Sequence, residues 1–178
     1  MNNWQINGLP LHPLLVHAVV VLLPLAALML IIGSVWPAAR RKFGILTPII
    51  ALAALIAVPL TTQAGEALEK QTEPSAILEK HTELGDHLLP WAAGLFLVAL
   101  VQWFWFRRAR RDSAEAGRRD SAATTRRQVV GIVLAVAAIA ISVGATIDVV
   151  RIGDSGAQAV WSDSTSSTDQ TPTPDGDD

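Results

Sequence analysis

The chain contains no cysteine. That excludes disulfides, an iron–sulfur cluster and covalent haem attachment through Cys-x-x-Cys-His, and is silent on compartment. Catalytic signatures are missing too: there is no Gly-x-Ser-x-Gly, His-Glu-x-x-His, phosphate loop or dinucleotide fingerprint. The expectation is that the protein is not a stand-alone enzyme. Charge is scarce as well. Only 17% of residues are charged against 51% hydrophobic, and mean hydropathy is +0.37.

The scarcity is segregated. Residues 14–36, 43–65, 88–106 and 128–147 hold no Asp, Glu, Lys or Arg, in runs of 23, 23, 19 and 20 residues. A bilayer core of about 30 Å needs roughly 20 apolar residues in a helix, so each run can span. An all-α integral membrane four-helix bundle is the expected fold class. The first run is not read as a signal peptide. Residues 1–13 hold no Lys or Arg, and the run exceeds an ordinary signal core. The expected organisation is an extracytoplasmic N-terminus over 1–13, a transmembrane domain over 14–161, and an acidic Ser/Thr/Pro-rich disordered tail over 162–178. No long polar stripe is visible in any run, which argues against a channel.

The connecting segments alternate in sign. Residues 37–42 and 107–127 carry 11 of the 14 basic residues. Residues 63–87 and 148–178 are net acidic. Lys and Arg remain cytoplasmic, so both termini and the 63–87 loop are expected outside a bacterial plasma membrane. Trp36, Trp103 and Trp105 fall at the inner ends of spans, and Trp4, Trp91 and Trp161 at or beyond the outer ends, as two interfacial belts require. The arginine-rich 107–127 segment is expected to attract anionic lipid. Nucleic acid is not expected as a partner, and homo-oligomerisation stays open.

Local signals refine this picture. Pro13 suits the first turn of helix one, with His12 near its N-cap and His17 one turn inside. Pro24 is expected to kink that helix. Pro74 and Ser75 can start a short helix in the outer loop, where Ile77, His81, Leu84 and Leu88 share one face. Glu79, Glu83 and Asp86 lie mostly elsewhere, and His87 is expected to face solvent. Helix four is rich in small residues, which permit close packing. Gly153 and Gly156 are expected to mark a turn after it.

All four histidines then fall at the outer face, and ionisable groups at the edge of a span are functional candidates by default. One reading is b-type haem, with His17 and His81 as the preferred axial pair and Arg151 meeting a propionate. Another is a divalent metal ion held by His12, His17 and His81, with Glu66 or Asp86 completing the shell. The third is structural: His12 caps, His17 bonds within the bundle and His87 stays wet. The first two make the protein redox-linked, with a redox protein or another membrane subunit as partner. The third makes it a non-catalytic structural or adaptor subunit.

The segments "GLPLHPLLVH", "TTQAGEALE", "LEKHTELGDHLLPW" and "RIGDSGAQAVW", in that order, resemble the bacterial membrane family called domain of unknown function 2231. The resemblance runs over residues 8–161. It implies a four-helix membrane protein, with redox company because some relatives are joined to Rieske-type or cytochrome-like modules. It also implies that His12, His17 and His81 match the family's histidine pattern. Two positions depart from it. His17-Ala18-Val19 stands where many relatives read His-Phe-Pro, and Asp154 stands where close relatives carry His. Asp154 can hold a divalent ion but is a poor haem ligand, so the resemblance points to one haem or a metal site that includes Asp154.

Overall fold

The structure, a computed structural model, describes residues 4–6, 8–71, 75–115 and 121–166. The expected role of Pro74, the middle of the basic 107–127 loop and the tail beyond residue 166 lie outside these residues. A two-residue hairpin, β1 (Gln5–Ile6) and β2 (Leu9–Pro10), turns at Gly8 with φ 79°. It leads directly into α1 (Leu11–Val35). Pro10 at the N-cap has no side chain to offer, and the Trp4 carbonyl instead accepts from Leu11 N–H at 2.9 Å. A helix start leaves such N–H groups orphaned, so the hairpin does the work of a cap and fixes where His12 stands.

Trp36 is extended, as the residue before a proline prefers, and it ends α1. The expected 37–42 loop is a short helix, α2 (Pro37–Phe43), with Pro37 in its first turn. Gly44 at φ 47° ends it, a conformation in which a Cβ would be strained. There follow α3 (Leu46–Glu69), α4 (Ala76–Asp86), α5 (Leu88–Glu115) and α6 (Ser121–Ser166). Ser75 caps α4, its hydroxyl accepting from Leu78 N–H at 3.2 Å. Gly153 and Gly156 do not make a turn; α6 runs through both. At 46 residues it is roughly 69 Å long, far more than a bilayer core needs.

Four helical stretches are long and apolar enough to cross a membrane: α1, α3, the stretch containing α5, and α6. They close a ring in the order α1, α3, α5, α6, with α4 lying against α6 at the acidic end. Leu23, Leu30, Val58 and Leu95 fill the centre beside Ala26, Ala54, Ala92, Ala138 and Ala145. Leu28, Ile56, Leu97, Val133 and Val136 face outward, as lipid contact requires. Lipid tails are as apolar as leucine, so burial alone does not draw these helices together; close approach and interhelical hydrogen bonds must. The Trp91 ring lies flat on Gly144, where any Cβ would collide with it. Ser142 Oγ donates from α6 to the Ala27 carbonyl of α1 at 3.3 Å.

Candidate functional site

The expected face of α4 is the one that packs. Ile77, His81 and Leu84 are half-buried and Leu88 is buried, while Glu79, Glu83, Asp86 and His87 are exposed. His81 thereby reaches α6. Its Nδ1–H is shared between the Ile152 carbonyl at 3.1 Å and Ser155 Oγ at 3.0 Å. Ser155 spends its own proton on the same carbonyl, at 2.9 Å, so its oxygen is free to accept. His81 packs on Gly156, where an added Cβ would stand 3.0 Å from Cε1.

His12 is arranged in the same way on α3. Its Nδ1–H donates to the Thr61 carbonyl at 3.0 Å. Its ring packs on Gly65, where a Cβ would stand 3.0 Å from both Cε1 and Nδ1. Thr61 frees that carbonyl's surroundings by turning its own hydroxyl back to Ala57 O at 2.8 Å. The two imidazoles then meet, with centres 6.3 Å apart and planes at 88°. A carbonyl can only accept, so the proton of each neutral ring sits on Nδ1 and each Nε2 carries a lone pair. Neither Nε2 has a hydrogen-bond partner among the described residues. The His81 pKa lies below the ordinary imidazole value. Burial is the larger cause and the charge of His12 the next, with the bond to Ile152 opposing both.

The expected pairing of His17 with His81 needs correction. His17 is exposed, and its Nδ1–H is tied to the Pro13 carbonyl of its own helix at 2.6 Å. His12, expected at the rim, is the residue that meets His81. The reason is helical phase: His17 lies five residues on from His12 and leaves the face that packs on α3. Glu66, Asp86, Arg151 and Asp154 are all exposed, and Asp154 is engaged by Gln158 Nε2 at 3.0 Å. Among the described residues no group of three or more His, Asp or Glu is close enough to hold a metal ion.

The family model for predicted membrane proteins of domain of unknown function 2231 matches residues 8–169. The chain belongs to that family. Every residue of the two-histidine site lies inside the part that identifies this DUF2231 protein. No curated protein and no solved structure matches it.

Three features, two at the site and one at the far end of the bundle, were not legible in the sequence. Gly65 and Gly156 sit within quoted segments, but only the fold shows that each seats a histidine ring. Asp148 is 9% exposed, and its Oδ2 has no partner among the described residues. It lies on α6 seven residues before Ser155, roughly 10 Å deeper along the helix. Finally, buried polar groups are distributed over several helices rather than along one. Gln102 Nε2 on α5 donates to Ser34 Oγ at 2.8 Å and to Leu134 O at 3.1 Å, joining α5 to α1 and α6.

Proposed function

We propose that this multi-pass membrane protein is redox-linked and carries haem b, or a divalent metal ion, between His12 and His81. The acidic end of the bundle, with both termini, faces out of a bacterial plasma membrane. The observation that carries the reading is the matched pair of imidazoles. Each donates its Nδ1–H to a backbone carbonyl and keeps an uncommitted Nε2, the arrangement that orients metal-bound histidines. The ring centres lie 6.3 Å apart with planes at 88°, which puts both imidazoles at one place between α3 and α6.

By ligand count alone, two imidazoles suit haem better than a bare ion. A porphyrin brings four nitrogens of its own, so two imidazoles complete the iron, whereas a divalent ion needs further ligands that Glu66, Asp86 and Asp154 do not bring to the pair. Haem would supply one-electron chemistry, and a redox protein or membrane subunit is the partner class. The chain's own part is to hold two rings by their Nδ1–H groups and seat them on Gly65 and Gly156. Absorbance spectra and metal analysis of the purified full chain test this. A Soret band or a stoichiometric metal, lost in both His12→Ala and His81→Ala, is expected. Neither signal in protein purified from cells with ample haem and metals would sink the proposal.

One observation favours a second reading, a structural or adaptor subunit. The same hydrogen bonds stitch α1 to α3 and α4 to α6. Under that reading both alanine variants lose stability and no spectral feature changes.

A further inference from the structure

The basic end of the bundle holds a second polar site that the proposed function leaves unused. Arg40 on α2 is held rigidly there. Its Nε–H donates to the Gly33 carbonyl and an Nη2–H to the Ser34 carbonyl, both at 2.6 Å. Its guanidinium carbon lies 3.5 Å from the centre of the Phe106 ring. These bonds satisfy carbonyls that the end of α1 leaves orphaned, and Nη1 has no partner among the described residues.

Arg40 borders a small cleft of ≈ 30 Å³ between α1, α2, α3 and α5. Arg110 of α5 borders the same cleft, and its charge adds to burial in lowering the Arg40 pKa. None of the residues lining the cleft is acidic, and Arg110 has no hydrogen-bond or ion-pair partner among the described residues. Two like charges are thus set at one opening without a counter-ion among the described residues.

The opposite wall is the start of α3. Its N-cap, Ile45, offers no side-chain cap, and the helix's first turn has no acidic residue. The N–H groups of Leu46 and Thr47 precede the helix's own hydrogen bonds, so they and the helix dipole present positive potential. Thr47 also lines the cleft. It is only 8% exposed, and its hydroxyl has no partner among the described residues. The hydroxyl oxygen itself stays open to the cleft, where a ligand oxygen can accept its proton.

We propose that this cleft binds a phosphate group, with Arg40, Arg110 and the Thr47 hydroxyl as its donors. A lipid headgroup and free phosphate share this chemistry. The position favours the headgroup: the cleft lies at one end of the spans, beside the aromatic rings of Trp103 and Phe106. Its volume admits one small polar group at the opening and excludes a nucleotide.

The full chain in detergent tests this by native mass spectrometry with phosphatidylglycerol or diacylglycerol, which lacks the phosphate, and by thermal unfolding with inorganic phosphate alone. Retention of phosphatidylglycerol over diacylglycerol is expected. Arg110→Gln and Thr47→Val should each weaken it, the former by roughly fivefold. Arg108→Gln, an exposed neighbour that does not line the cleft, should bind as the unaltered chain does. Stabilisation by inorganic phosphate that vanishes in Arg110→Gln, without a lipid preference, supports the site with a soluble source. The proposal is overturned if neither ligand discriminates, or if both Arg110→Gln and Thr47→Val bind as tightly as the unaltered chain. Unfolding without ligand identifies any variant that has lost its fold, and the other variant then decides.

Discussion

His12 of α1 and His81 of α4 face each other with ring centres 6.3 Å apart, each anchored by Nδ1–H to a backbone carbonyl of a third or fourth helix. One pair of side chains therefore reports on the packing of α1, α3, α4 and α6 together. Histidine substitutions should divide cleanly along this line. His12→Ala and His81→Ala are expected to abolish any haem or metal signal and to lower the midpoint of thermal unfolding. His17→Ala should change neither, because that ring bonds only to its own helix. A spectral loss in His17→Ala equal to that in His12→Ala would contradict the assignment of the pair.

Acid should destabilise the acidic end through His81, which lies on α4 outside the apolar runs. Its folded pKa is below the ordinary imidazole value of 6.5. The unfolded chain therefore binds a proton that the folded site resists. Stability is fully present above about pH 6.5 and falls as pH drops towards the folded pKa. Thermal unfolding measured from pH 8 down through about pH 6 should show this fall. His81→Gln should flatten the profile, and an equally steep one in that variant would assign the titration elsewhere.

The glycines under the rings should differ in how well they tolerate a methyl group. Gly144→Ala drives a Cβ into the Trp91 ring, and an overpacked contact of this kind costs roughly 1–3 kcal/mol. Gly65→Ala is milder, because its Cβ would meet His12 at 3.0 Å and a few tenths of an ångström of ring movement relieve it. The expected order of unfolding midpoints is wild type, Gly65→Ala, then Gly144→Ala. Gly131→Ala is the control, since an added Cβ there meets nothing within 4 Å.

Gln102 and Asp148 should respond in opposite directions. Gln102→Leu removes two donated bonds between helices and should cost about 1 kcal/mol, in line with interhelical bonds in membranes. Asp148→Ala removes a buried carboxylate oxygen that lacks a partner among the described residues, so stability should hold or rise. A large loss on Asp148→Ala would show that the carboxylate is engaged by something outside the described residues. Unfolding of both variants in the same detergent checks the pair.

Orientation is open to a direct test because the chain is free of cysteine. Ser75→Cys, next to α4, should react with a membrane-impermeant maleimide on intact cells. Lys42→Cys on α2 should react only after permeabilisation. The reverse pattern would invert the topology and place the two-histidine site inside.

The number of spans, their alternation and the amphipathic character of α4 follow from the sequence alone. Charge-free runs of bilayer length and the spacing of Ile77, His81, Leu84 and Leu88 are local properties, and local properties survive in any packing. The choice of His12 over His17 was not of this kind. Five residues separate them on one helix, and which one turns inward depends on where α3 lies, a matter of rotation about the helix axis that an almost uniformly apolar run leaves unmarked. Gly153 and Gly156 illustrate the same limit. In sequence they read as a turn, yet α6 continues through both, and Gly156 is small because the His81 ring from α4 lies against it. The cleft likewise depends on packing, because Arg110 of α5 is 70 residues from Arg40 and only the fold brings the two to one opening. Composition and periodicity determined which segments cross the membrane; close packing between distant segments decided which side chains share a site.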